Sequence, residues 1–353
     1  MSDDLSPRER LLGVLRRQGA DRPPVICPGG MMSAAILGVT ETSRCPPPAA
    51  HHDAALMAGL ARDVRRGTGF ENFGLPFCMT VEPEALGAEI DFGSLACEPK
   101  IKTEPWARAA DVAMRPKGAV AASKRAGVVL EAVSALKKSD PDVPVIGGLT
   151  GPLSLAASLV EPMNFLKGLR KDRESSHRVL DYVAGQLVDY AAALVEAGAD
   201  VITIADPTAT GEILGPKIFA EYALFYINKI VGFLHSVGAP AIVHICGNVR
   251  SVGASLAELR GDALSVDAMV SLKNLKAKSE GLVAMGNLST YALEFADAEK
   301  VAGAARLLKR QGVDILAPAC GLSTSTPLAN IRALTGVVKD GGREVCASRF
   351  ISL

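Results

Sequence analysis

His244 and Cys246 stand two apart in APAIVHICGNV, residues 239–249, at the end of an apolar run, and Cys320 closes a second such run in VDILAPACG. Imidazole and thiolate are soft nitrogen and sulfur donors, a set suited to Zn²⁺. Three protein ligands leave a fourth position for substrate, which is the arrangement of catalytic rather than structural zinc. On a strand, residues i and i+2 share a face, so His244 and Cys246 converge if this segment is extended. Two thiolates make the ion electron-rich. It is then a poor Lewis acid for activating water and a better holder of an incoming thiol. A free thiol has a pKa near ~8.5, and coordination deprotonates it outright. The chemistry this favours is alkyl transfer to sulfur. An HxC pair alone equally describes a core strand with a satisfied histidine; Cys-Gly at another strand end is what gives it meaning.

The elements that must position these groups recur from about residue 143 onward: a short β-branched run, a polar or glycine break, then a helix-like stretch. The runs are VPVIGGLTG, ADVITIADP, PAIVHICGN, ALSVDAM, LVAMGNLS and VDILAPACG. Between the first two lies SSHRVLDYVAGQLVDYAAALVEAG, where Val179, Val183, Leu187, Tyr190, Leu194 and Val195 follow a helical period. Gly198 and Gly238 supply stops before the next strands. Near-continuous apolar strands alternating with helices predict a parallel sheet covered by helices. Two earlier runs, PPVICPGG at 23–30 and FENFGLPFCMTV at 70–81, bring the total to about eight, the count of a (β/α)₈ TIM barrel. The expected organisation is one domain over 1–353, with 1–22 an N-terminal helical extension and 40–66 a possible insertion. An open doubly wound sheet is the alternative, but no GxGxxG follows a strand.

A barrel of this kind places its active site at the C-terminal ends of its strands. Those ends carry Asp206, His244 with Cys246, Asp267, Asn287 and Cys320. Asp267 is compatible with three roles: a displaceable fourth ligand, a partner for His244, or a cap on the next helix.

Composition narrows the classes. With 38 basic and 38 acidic residues the net charge is zero, so the field that a nucleic-acid binder uses is missing. Hydrophobic residues make up 48%, enough for a large core, yet Gly, Pro or charges break every apolar segment well short of a membrane span. The opening MSDDLSPRERLL does not suit a signal peptide, and seven scattered cysteines do not form a disulfide framework. A soluble cytoplasmic protein is expected, with no nucleic-acid or membrane partner.

The stretches GGLTGPLSLAASLVEP, VEAGADVITIADPTATGEILGPKIFAEY, HICGN, SVDAMV, GNLS and DILAPACGLSTSTPLANI resemble the MtaA/CmuA-type methylcobamide:thiol methyltransferases of the uroporphyrinogen decarboxylase superfamily. The resemblance is dense over 143–340 and looser before it. It implies a zinc ion held by His244, Cys246 and Cys320. It also implies transfer of a methyl group from methyl-Co(III) on a partner corrinoid protein to a zinc-bound thiol, typically coenzyme M, with cobalt leaving as Co(I). Asp206 and Asp267 fall on motif positions near cofactor or metal and are taken as catalytic. Met79 and Asn287 are the expected cofactor contacts, with GGMMS at 29–33 and Phe77–Met79 as walls of an apolar mouth. The superfamily's decarboxylases carry Phe-Ser-Asp where this chain has Phe77-Cys78-Met79, and an arginine-rich motif where it has ICPGGMMS. Both groups that hold an anionic porphyrinogen are therefore missing. Two alternatives stay open: demethylation of a small methyl donor, or use of tetrahydrofolate as acceptor, to charge a corrinoid protein; and a non-catalytic docking barrel, which would need no converging ligands.

Overall fold

The computed structural model describes residues 4–28, 38–40, 47–279 and 281–339. Strands β1 (Phe73–Leu75), β4 (Val145–Thr150), β5 (Val201–Ala205), β6 (Ala241–Ile245), β7 (Ala263–Val266), β8 (Ala284–Leu288) and β9 (Ile315–Pro318) form one seven-stranded sheet in that order. Every pairing in it is parallel. Every residue of these strands is buried, as expected of a sheet covered by helices on its outer face.

The segment around Val25 closes the curl between the first and last strands. Val25 makes a single parallel bridge to Leu316 of β9, with Leu316 N–H donating to Pro24 O and Ile26 N–H to Leu316 O. On its other side Glu71 N–H donates to Val25 O, while the Glu71 carboxylate accepts from Val25 N–H. Asn72 completes the seam with its side chain, accepting from Cys27 N–H and donating to Cys27 O. The strand expected over 23–30 is thus shortened to one bridge. Pro23, Pro24 and Pro28 lack the N–H that a ladder requires, and polar side chains supply the missing bonds. With this segment the sheet is the expected (β/α)₈ barrel.

Helices run between the strands as the periodicity predicts. In Arg173–Ala197, Val179, Val183, Leu187, Tyr190 and Leu194 are fully buried, and Gly198 ends the helix at φ 112°. Gly238, at φ 74°, follows the helix Phe225–Ser236. The left-handed region favours glycine at both positions. The helix Ala54–Thr68 leads from the closing segment to β1 and packs against Lys124–Ser139. The antiparallel pair β2 (Glu89–Asp91) and β3 (Lys100–Thr103) stands apart from the barrel sheet and had no counterpart in the sequence reading.

At the opposite end from the candidate ligands, the helix Pro7–Leu15 stoppers the barrel. Its Leu11, Leu12 and Leu15 pack with Ile26, Ile146, Val201, Ile242, Ala263, Val283 and Ile315, residues at or near the strand starts. The strand-start end of the barrel is thus filled, and the candidate ligands stand at the other rim.

Candidate metal centre

His244 is the fourth residue of β6, and Cys246 follows the strand's last residue. Cys320 lies two residues beyond β9. Ligand atoms of His244, Cys246 and Cys320 all lie within 4.8 Å of one another. The two Sγ atoms are 3.3 Å apart. His244 is buried and both cysteines are half-buried, so the sulfur side of the cluster is partly open to solvent.

The fit to a metal can be tested on hydrogen bonding. His244 Nδ1 is 2.9 Å from Ser265 Oγ, while His244 Nε2 is buried without a partner among the described residues. A buried polar atom left unmatched costs roughly 1–3 kcal/mol. A metal ion between Nε2 and the two sulfurs removes that cost. Tetrahedral zinc, with bonds of about 2.3 Å to sulfur and about 2.1 Å to nitrogen, needs its ligands roughly 3.6–3.8 Å apart. The sulfurs would have to separate by only about half an ångström from that 3.3 Å contact. The Cys246 S–H donates to Cys320 Sγ, and this bond raises the pKa of Cys246 and lowers that of Cys320.

Asp267 joins this group. Its Oδ2 is 3.5 Å from Cys246 Sγ and 3.4 Å from Gly247 N, and its Oδ1 accepts from Met269 N–H at 3.0 Å. The carboxylate therefore faces the β6 cysteine, and the partner of His244 is Ser265. Asn287 lies beneath this turn, with its amide donating to Asp267 O at 2.9 Å and Val270 O at 2.8 Å. Asn287 is 6% exposed, which makes it a brace for the turn in this structure.

The other expected site residues have partners of their own. Asp206 follows β5 by one residue and is fully buried. Its carboxylate accepts from Leu153 N–H, Ser154 N–H and Ser154 Oγ–H at 2.9, 3.0 and 2.6 Å. These are first-turn groups of the helix Pro152–Leu159, a natural seat for an anion. Burial pushes the Asp206 carboxyl up to about 6, against the lowering effect of those bonds. A Cβ at Gly151 would lie 2.3 Å from Asp206 Cβ, so only glycine lets the two segments approach this closely. Met79 is half-buried, and its carbonyl accepts from Thr150 Oγ1. Phe77 and Cys78, expected as walls of the mouth, are buried, and Cys78 Sγ accepts from Arg125 Nη2 at 2.8 Å. Residues 29–33 lie outside the described residues.

Ser265 is the residue that sequence reasoning missed. The signal was present in the register: His244 is the cross-strand neighbour of Ser265, and S-x-D on β7 repeats the two-residue spacing of H-x-C on β6.

Residues 6–341 match the family model for uroporphyrinogen decarboxylase (URO-D). The chain is 33% identical to the methylcobamide:CoM methyltransferase MtaA of Methanosarcina barkeri, covering 93% of this chain and 96% of that one. It is 34% identical to the methylcobamide:CoM methyltransferase MtbA of Methanosarcina acetivorans, covering 96% and 98%. A solved methyltransferase from Methanosarcina mazei superposes with a TM-score of 0.88 at 32% identity, over 96% of this chain and 99% of the other. The chain belongs to the uroporphyrinogen decarboxylase family and, within it, to the corrinoid-dependent methyltransferases.

Proposed function

We propose that this protein moves a methyl group from methyl-Co(III) of a corrinoid, carried by a partner protein, to a small thiol such as coenzyme M. The observation that carries this reading is the convergence of His244 Nε2, unpartnered and buried, with the sulfurs of Cys246 and Cys320. Zn²⁺, when bound there, would supply an anchor that keeps the acceptor thiol deprotonated and aimed. The thiol sulfur forms its bond to the methyl carbon as the carbon–cobalt bond breaks. Both electrons of that bond stay on cobalt, and the proton lost by the thiol goes to solvent.

The chain's own part is to orient and to present. The ends of β6 and β9 place three donors on one point. Asp267 and Asn287 hold the turn beside them, and the plug of leucines at the far end leaves one approach. Met269, two residues after Asp267, is 52% exposed. Tyr291 and Phe295, on the helix after β8, are 73% and 65% exposed, with rings 4.7 Å apart. Such apolar groups on strand-end elements suit contact with a macrocycle-bearing protein, since exposed aromatics and Met are enriched where proteins meet. No helix among the described residues is long and apolar enough to cross a membrane. A reducing cytoplasm would keep the two ligand thiols from oxidising.

The reading is tested on Cys320→Ser. Metal analysis of the purified wild type should find about one zinc per chain, and the variant should lose zinc and methyl transfer together. A variant that transfers at the wild-type rate would remove Cys320 from the centre and the proposal with it.

A further inference from the structure

We infer that Ser265 is a positioning residue: its hydroxyl fixes the tautomer and rotation of the His244 imidazole so that Nε2 is offered to the metal. The inference rests on the metal reading above and adds to it a residue on a strand that supplies no ligand.

The geometry comes from the β6–β7 ladder. His244 and Ser265 are register partners in parallel strands, both buried, and their side chains meet at 2.9 Å. Two residues along, Cys246 and Asp267 repeat the arrangement at 3.5 Å. Each of the two donors thus faces the side chain at the matching place on β7 or just after it. A neutral imidazole carries one N–H, and which nitrogen bears it is set by the bond the other makes. If the Ser265 hydroxyl donated to Nδ1, the proton would sit on Nε2, a buried N–H with no acceptor. If Nδ1–H donates to Ser265 Oγ, the buried Nε2 lone pair is left free for an ion held with the two sulfurs. Only the second arrangement satisfies both nitrogens once an ion is present.

The choice of support has a chemical consequence. A carboxylate behind a metal-bound histidine raises its basicity as well as orienting it. A hydroxyl orients with much less added charge. With two thiolates already at the centre, a neutral support on His244 limits the electron density placed on the ion. The one carboxylate, Asp267, is directed at Cys246 instead.

The experiment is a double-mutant cycle read by zinc affinity, using competition with a chromophoric chelator. Ser265→Ala should raise the zinc dissociation constant by roughly 10–100-fold, the usual loss when the support of a ligand is removed. His244→Ala should weaken zinc further, and adding Ser265→Ala to it should change nothing more, because Ser265 acts through the imidazole. Ser265→Thr keeps the hydroxyl and should restore affinity. Cobalt(II)-substituted Ser265→Ala should keep its thiolate-to-metal charge-transfer band while its d–d bands shift. Thermal melts of the metal-free forms separate these effects from misfolding: equal melting points with lowered affinity support the role. Wild-type affinity in Ser265→Ala overturns the inference, as does an equal loss with and without His244. Failure of the wild type itself to bind zinc would instead overturn the metal reading.

Discussion

Replacing Asp206 separates support from chemistry, because its carboxylate is held by the start of the helix Pro152–Leu159, while its backbone N–H, which the substitution keeps, donates to His244 O at 2.9 Å. Asp206→Ala removes an acceptor of three hydrogen bonds and leaves Leu153 N–H and Ser154 N–H buried without a partner. Bonds to a charged group contribute about 1.5–3 kcal/mol each, so the three together amount to roughly 4.5–9 kcal/mol. Against this, holding a carboxyl at about 6 rather than the ordinary 3.8 costs its ionised form about 3 kcal/mol at neutral pH. The net expected loss is about 1.5–6 kcal/mol. With an unfolding entropy of about 2.1 cal/mol/K per residue, 353 residues give roughly 0.7 kcal/mol/K, and the melting point should fall by about 2–8 °C. Asp206→Asn keeps the shape and one acceptor but cannot ionise. Because the native carboxyl binds its proton more tightly than the unfolded chain does, its contribution to wild-type stability is full below about pH 4. It declines as pH rises through about 6. The deficit of the Asn variant should therefore be largest near pH 4 and narrow by up to about 3 kcal/mol by pH 7. The assay is thermal and urea unfolding across pH 4–8, with zinc content measured on each variant. A stable Asp206→Ala protein with wild-type melting and full zinc, yet no methyl transfer, would refute the assignment of Asp206 to the helix start.

Other consequences are simpler to read. Asn287→Ala should cost about 1–3 kcal/mol in urea unfolding, since the carbonyls of Asp267 and Val270 lose their donor. It should also weaken zinc in chelator competition, because Asp267 rides on that turn; unchanged affinity would show the turn to be held by its other contacts. Leu11→Ala, in the plug at the far end of the barrel, should lower stability by about 2–5 kcal/mol while leaving zinc stoichiometry intact. Gly151→Ala should lower the melting point by at least as much as Asp206→Ala does, since its Cβ meets Asp206 Cβ at 2.3 Å; a folded variant with the wild-type melting point would contradict that contact.

Much of the site was legible because strand periodicity is a local property. His244 and Cys246 had to share a face, and Cys320 ended another strand of the same parallel sheet. The closing segment was harder, since its bonds to Glu71 and Asn72 join residues about 45 positions apart through side chains. Ser265 and Asn287 were obscured for a related reason: their roles follow from the register of neighbouring strands, which the sequence does not state. Asp206 marked the right strand end, but whether its carboxylate faced the mouth or a helix start depended on how helix Pro152–Leu159 docks. Phe77 and Cys78 read as a wall because they follow a strand. Arg125, from a helix that begins 46 residues later, reaches over Cys78 and buries it.

The central claim is methyl transfer to a thiol at the His244, Cys246 and Cys320 centre, and one spectral assay tests it most directly. Zinc-loaded protein is mixed anaerobically with free methylcobalamin and a panel of small thiols that includes coenzyme M. The account predicts thiol-dependent conversion of the methyl-Co(III) spectrum to that of Co(I), absent without thiol and absent in Cys320→Ser. An unchanged spectrum with every thiol, from protein shown to hold its zinc, would contradict it.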